Sequence, residues 1–415
     1  MWDLLLLTAG SKKQKLNFEK ILKTIPNLEK YAKDIRVISD EPENVRIGSG
    51  GATLLVLKLL KQIYGEKLVE KKILLCHSGG LSQRMPHFSA FGKIFAHFPN
   101  GKTILETKLE VYSQNLVSNL PNGLMITASD VLEDMKTISK IFDKNQEIII
   151  FAHQSSLKVG TQHGVFCVDP ENSKLIRVLQ KPSIEEMKNA NAIRKNGKVL
   201  TDSCFWLSWK ICDALEKSAI FPISEELCCY ADFMRPMGTN PDLSYLGDSL
   251  QRRKFAEIFS AAKNIEIFDL GEFETFFHLG TFSEWFEHLE NGSKFQQIFN
   301  VGKFKNYEFS KLPETLKIPR TTILSGVEIQ DNLEIPENSV IFTIPLRENM
   351  GYSTVILNIS TDFKKIWNEK KFAVSSIRQQ SFLENSGNLY SLSDLIELHD
   401  MEKDLEWRKT TFQNM

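Results

Sequence analysis

The sequence lacks several features that would place it quickly. No apolar run approaches the roughly 20 residues needed to cross a bilayer, so no membrane anchor is expected. Neither sign of charge is in excess. Lys and Arg total 51 against 52 Asp and Glu, a formal net charge of -1, which argues against a general nucleic-acid surface. A local cationic pocket remains compatible with that balance. The six cysteines, at 76, 167, 204, 212, 228 and 229, contain no C-x-x-C pair. They read as reduced, buried thiols of a cytoplasmic protein rather than a disulfide frame or a zinc site. The Leu4-Leu5-Leu6-Leu7 run has no basic segment before it and meets Thr8-Ala9-Gly10 at once, so it reads as a buried strand and not as a signal peptide.

What is present is an ordinary globular composition, 42% hydrophobic and 25% charged over 415 residues, enough for two or three cores. Leu4–Leu7, Ile35–Ile38, Ile73–Cys76, Leu124–Ala128 and Ile148–Ala152 are short apolar runs separated by helical patterns. That alternation predicts a mostly parallel, helix-covered sheet, with ligands beyond the carboxyl ends of its strands. The turns at Thr8, Ser78 and Ser129 all fall at such ends. After about residue 160 strand pairs take over: Gly164–Val168 with Leu175–Leu179, then Ile265–Phe268 with Thr275–His278. From about 315, isoleucines at 323, 329, 335 and 341 repeat every six residues, with Val327 and Leu333 in a parallel register. This spacing suits a left-handed β-helix coil and plain β-hairpins alike. A last helix is expected over Ser393–Trp407. The expected division is 1–310 and a β-rich 311–415.

One stretch organises the rest. In LLCHSGGLSQRMPHFSAFGKIF, residues 74–95, an apolar strand stops at Ser78-Gly79-Gly80 and two cations follow, Arg84 and Lys93, with no acid between them. Backbone N–H groups and cations so arranged suit a phosphate-rich ligand. An ordinary strand-to-loop turn has the same spacing. A second glycine segment, Gly48-Ser49-Gly50-Gly51-Ala52-Thr53, runs into an amphipathic helix and reads as a loop whose helix start offers free N–H donors.

The first stretch closely resembles the signature of the fucose-1-phosphate guanylyltransferases, HSGG-x-S-x-R-x-P-x-x-S-x-x-GK. The matching residues are His77, Ser78, Gly79, Gly80, Ser82, Arg84, Pro86, Ser89, Gly92 and Lys93. The resemblance implies a Rossmann-like, glycosyltransferase A-like mixed α/β sheet covered by helices. It implies transfer of GMP from GTP to β-L-fucose 1-phosphate, giving GDP-L-fucose and pyrophosphate, with Mg²⁺. On the same resemblance, Arg84 and Lys93 are catalytic. Gly48, Gly50, Gly51, Thr53, Gly79, Gly80 and Ser82 form the nucleotide pocket, and Asp130 binds the metal. His163, Gly164, Lys181 and Asp202, in QHGVF, QKPS and TDS segments, hold the sugar phosphate.

Two positions depart from the wider pattern. His278 stands two residues before Gly280-Thr281, where many superfamily enzymes carry a metal-binding Asp; related guanylyltransferases are similar in having His. Cys228 stands where relatives resemble E-I-D-x-Y-x-D, while Glu226 and Asp232 remain. These departures motivate the alternative of a non-catalytic nucleotide-sugar binder that regulates a partner. The same chemistry on another sugar 1-phosphate is a further alternative. The carboxyl-terminal β-rich part offers a contact surface for a homo-oligomer.

Overall fold

Leu4–Leu7 and Ile73–Cys76 are almost wholly excluded from solvent, as continuous apolar runs are when both faces of a strand are covered. They pair in parallel, Leu4 with Ile73 through Leu7 with Cys76. The computed structural model describes residues 1–413 except 44, 272–274, 304–306, 309, 320–321, 328, 330–334, 336–338, 346–351, 359–371, 374–388 and 391–395. The chain divides into two units. The first is Met1–Lys15, Asn27–Gly79 and Glu106–His278; the second is Leu16–Pro26, Gly80–Leu105 and Leu279–Met415.

In chain order the elements up to His278 are β1 (Leu4–Ala9), α1 (Lys12–Leu22), β2 (Ile35–Ser39), α2 (Gly48–Tyr64), β3 (Lys72–His77) and α3 (Ile104–Asn115). Then come β4 (Gly123–Ala128), β5 (Val131–Glu133), β6 (Ile148–Ser155), α4 (Leu157–Gly160), β7 (Gly164–Val168), β8 (Leu175–Gln180) and α5 (Ile184–Asn189). Next are β9 (Val199–Ser208), α6 (Trp209–Ser218), α7 (Leu250–Ser260), β10 (Ile265–Asp269) and β11 (Phe276–His278).

The main sheet runs β10-β6-β9-β4-β3-β1-β2, with β7 and β8 attached through β9. The half made of β4, β3, β1 and β2 is parallel. β9 is antiparallel to both its neighbours, so the sheet is mixed. Helices α2, α6 and α7 supply Leu54, Leu57, Leu60, Leu215, Phe255 and Phe259 to the core of this unit.

Two expectations change here. Ile265–Phe268 and Thr275–His278 do not pair with each other: β10 lies parallel to β6, and β11 lies antiparallel to β5. The apolar β10 extends the edge of the large sheet, while β11 closes on the short strand that follows Asp130. Gly48–Thr53 is not a loop but the first turns of α2. A Cβ on Gly48 would lie 2.2 Å from the Leu227 carbonyl oxygen, and one on Gly50 would lie 3.0 Å from the Leu227 carbonyl carbon. Close approach of the 226–229 segment therefore demands the glycines, and it overrides their low helix propensity.

The second unit carries α8 (Phe282–Leu289), α9 (Lys294–Phe299), β12 (Tyr307–Glu308), β13 (Ile323–Ser325), β14 (Ser339–Pro345), β15 (Tyr352–Asn358) and α10 (Met401–Gln413). β12, β13 and β14 pair in parallel and β15 turns back antiparallel. Leu324, Val327, Ile329, Ile335 and Ile341 share one buried cluster, so the six-residue spacing does mark an apolar face. The described strands do not define a β-helical coil, and Leu333 lies outside the described residues. The last helix is α10, which begins at Met401 and not at Ser393 as expected; residues 393–395 also lie outside the described ones.

Gly48 combines a φ of +69° with the contact to Leu227, so Gly48→Ala should lose roughly 1–3 kcal/mol of stability. Urea titration should show a lowered midpoint with an unchanged slope.

Candidate functional site

The parallel register brings the ends of β1, β3 and β4 together. The Thr8 hydroxyl accepts from the Ser78 and Gly79 amides at 3.0 and 3.2 Å. The Ser129 amide donates to the His77 carbonyl at 3.1 Å. The three turns expected to face one crevice are thus joined by hydrogen bonds. Gly79 leaves no room for a side chain, since a Cβ would sit 3.1 Å from the Gly10 nitrogen. At the end of β2, the Asp40 amide donates to the Ala9 carbonyl at 2.9 Å, and burial pushes its carboxyl up to about 7.

Asp130 begins the descent into β5, and β11 pairs His278 with Val131 beside it. His278 Nε2 lies 3.7 Å from Asp130 Oδ2. The His278 ring meets the His163 ring edge to face at 5.6 Å between centroids, and His163 Nδ1 lies 3.9 Å from Asp202 Oδ1. Asp130, His278, His163 and Asp202 therefore form a continuous row. Asp202 accepts from the Gly164 amide at 3.0 Å, and a Cβ at Gly164 would fall 2.6 Å from Asp202 Oδ2. Lys181 is exposed, holds a φ of 49°, and donates its amide to the His163 carbonyl at 3.1 Å. The four residues expected at the sugar phosphate are brought together in this unit.

Burial pushes the Asp202 carboxyl up to about 7, against the lowering pull of the Gly164 amide and of Lys181. Behind the row, His153 is fully used: its ring nitrogens lie 2.7 Å from Thr275 Oγ1 and 2.6 Å from Ser203 Oγ. Burial lowers its pKa to about 3, so it is neutral.

The Gly48–Thr53 turns meet a different neighbour. The Gly50 amide donates to the Leu227 carbonyl at 2.8 Å, so this helix-start donor is not free. Ser49 Oγ accepts from the Cys229 amide at 3.0 Å. Thr53 Oγ1 lies 3.1 Å from His77 Nε2, which ties the two glycine segments together. In the acidic segment, Asp232 accepts from the Cys228 amide at 2.7 Å and pairs with Arg252 at 3.0 Å. Asp232 thus closes the turn on which Cys228 sits.

In the second unit, Met85, Phe88, Ser89, Ala90, Phe91 and Lys93 are buried while Arg84 is exposed. The Ser89 hydroxyl donates to the Leu81 carbonyl at 2.7 Å, and Ser82 holds a φ of 47°. Lys93 Nζ donates to the Gly280 carbonyl at 3.1 Å, so the signature lysine is fastened to the Gly280-Thr281 step. Gly92, at φ +78°, faces the Phe18 ring, which a Cβ would meet at 2.5 Å.

The sequence reading missed one cluster, Lys108, Tyr112, Thr127 and Glu133, all buried. The available signal was a lysine inside the apolar stripe Leu105, Leu109, Tyr112 and Leu116, a place where charge is rare. Among the described residues no group of three or more His, Cys, Asp or Glu side chains is arranged as a metal cage. Mg²⁺ is commonly held by one or two carboxylates plus substrate phosphates and water. The partly exposed Asp130 carboxylate at a strand end fits such a group, whereas the His278 nitrogen suits it less.

The family model of the fucose pyrophosphorylase domain matches residues 65–305. The chain therefore belongs to the fucose pyrophosphorylase family. It is 34% identical over 285 residues to the human fucose-1-phosphate guanylyltransferase, covering 59% of this chain and 46% of that protein. The mouse fucose-1-phosphate guanylyltransferase is 32% identical over 286 residues, 59% and 48% of the two chains. The chain spans about half the length of these curated relatives. A UTP-bound UGPase from Acinetobacter baumannii aligns over 69% of this chain and 91% of its own, at 11% identity and a TM-score of 0.29. No helix among the described residues is long and apolar enough to cross a membrane.

Asp202 yields a test by pH. Its folded pKa, about 7, lies well above the ordinary range of an aspartate, so the folded chain holds this proton more tightly than the unfolded one. The associated stability is complete below about pH 4 and is lost as pH rises through 7. Asp202→Asn keeps an acceptor for Gly164 and removes the titration. Its stability relative to the wild type should rise between pH 5 and 8 by roughly 2–3 kcal/mol, measured by urea melts at each pH.

Proposed function

We propose that the chain transfers GMP from GTP to β-L-fucose 1-phosphate, releasing pyrophosphate and forming GDP-L-fucose. The observation that carries this reading is the meeting of strand ends in a member of the fucose pyrophosphorylase family. The glycine turn at Ser78-Gly79, the Asp130 turn and the His163–Asp202 pair lie along linked positions of one unit.

The reaction needs a phosphate oxygen of the sugar to attack the α-phosphorus of the nucleotide in line with departing pyrophosphate. Such chemistry asks for position and charge neutralisation more than for covalent help. Arg84, exposed on a packed loop, has the fork to hold two triphosphate oxygens at once. Lys93 is a single charge whose direction is set by its bond to Gly280. Asp130 is the carboxylate for Mg²⁺, which when bound neutralises developing phosphate charge. Asp202 and His163 face the sugar, the former accepting hydroxyl hydrogens and the latter turned by its contact with Phe276. Gly164 lets backbone approach the ring. Six free cysteines, five of them buried, fit a reducing compartment, and we place the protein in the cytoplasm. We also propose a homo-oligomer formed through the carboxyl-terminal β-rich part.

Incubation of the purified chain with Mg²⁺, each of four nucleoside triphosphates and several sugar 1-phosphates tests the reading. Pyrophosphate should form fastest with GTP and fucose 1-phosphate. Nucleotide-sugar binding without pyrophosphate would favour the non-catalytic alternative, and faster turnover of another sugar would reassign the substrate. Arg84→Ala and Lys93→Ala should each lower kcat/KM by roughly 100-fold or more. The urea midpoint of Arg84→Ala should stay near that of the parent.

A further inference from the structure

Lys108 and Glu133 are among the least accessible charged side chains of the protein, at 1% and 0% exposure. Lys108 Nζ lies 2.9 Å from Glu133 Oε2 and 2.8 Å from Thr127 Oγ1. The Tyr112 hydroxyl lies 3.0 Å from each of those two oxygens and donates to the carboxylate. The ammonium also stands 5.0 Å from the Tyr112 ring centroid.

Stability alone does not account for such a group. Removing two charges from water is costly, and apolar residues of like volume often serve a core as well or better. The connectivity gives a better account. Thr127 lies in β4, three residues before Asp130, and Glu133 ends β5, three residues after it. One ammonium therefore ties both legs of the turn that presents Asp130. Through β5 it also fixes β11, where Phe276 pairs with Glu133 and His278 with Val131. That register sets the 3.7 Å approach of His278 to Asp130.

We infer that Lys108 and Glu133, with Thr127 and Tyr112, are positioning residues. They hold the Asp130 turn in the geometry that receives the divalent cation. The inference rests on the metal role of Asp130 proposed above. None of the four needs to touch the cation; the clamp acts through the turn, as outer partners of metal ligands do elsewhere.

The decisive variant is the double substitution Lys108→Met/Glu133→Leu, which replaces the pair by apolar side chains. Affinity is read as binding of Mn²⁺ to the protein–GTP complex by water-proton relaxation, beside urea midpoints and the Mg²⁺ dependence of turnover. The expected result is an unfolding midpoint at or above the parent's with Mn²⁺ affinity about 10- to 100-fold weaker. A stable double variant with Mn²⁺ affinity within about twofold of the parent would overturn the inference. Should the double variant not fold, Thr127→Val decides: it cuts one leg and leaves the ion pair intact. A clear loss of Mn²⁺ affinity there supports the clamp, and parental affinity refutes it. Asp130→Asn separates the two levels. If that variant binds Mn²⁺ normally, the proposed metal role falls; if it does not, while the clamp variants do, only the clamp falls.

Discussion

The register of four parallel strands governs the first unit. Because β2, β1, β3 and β4 pair residue by residue over matched lengths, their chain reversals fall at one edge of the sheet. Thr8 collects the two amides that open the glycine turn, and Ser129 returns an amide to His77. A one-residue slip in β3 would exchange its two faces and break all three bonds together. The apolar faces of Leu4–Leu7 and Ile73–Cys76 thus hold the turn chemistry in place, although no functional side chain lies on them.

Burial differs among the carboxyls at this edge. Asp40 and Asp202 are both pushed up to about 7 by desolvation, while Asp130 keeps partial access to solvent. A carboxyl that holds its proton near neutrality can donate a hydrogen bond as well as accept one. An exposed carboxylate is the better partner for a cation. One row therefore holds both a carboxyl pushed up by burial and one that keeps partial access to solvent, without any change of residue type.

Much of this edge was legible in the sequence because strands buried on both faces are unbroken apolar runs. Their ends are marked by small residues at Thr8, Ser78 and Ser129. The antiparallel β7–β8 pair was also readable from its spacing. What escaped depended on contacts distant in sequence. Nothing local tells β11 to choose β5 over β10. Nothing within Gly48–Thr53 announces that Leu227 will press on Gly48 and Gly50 at the start of a helix. Lys108 left only a faint mark, a charge on the apolar side of α3, because its partners lie 19 and 25 residues away.

The second unit solves a different problem, which is how to order a chain segment with no long element of its own. Residues 80–95 do so by burying most of the side chains from Met85 to Phe95 and bonding several of them. Ser89 holds Leu81, Gly92 fits beneath Phe18, and Lys93 is bonded to Gly280. Phe91 receives the Arg408 guanidinium 4.2 Å above its ring and the His399 ring at 5.2 Å. Arg408 and His399 are themselves joined through the buried Asp404, at 2.9 and 2.7 Å. Burial raises the Asp404 carboxyl, but Arg408 and His399 outweigh it and hold the group below its usual range. The helix carrying Asp404 and Arg408 begins at Met401, well beyond the segment matched by the family domain, yet it packs on the middle of the signature loop. The loop is thus fastened at Ser89, Phe91, Gly92 and Lys93, while Leu81, Gln83 and Arg84 are exposed. The two cations of one segment therefore meet solvent differently, Lys93 buried and bonded to a carbonyl and Arg84 exposed.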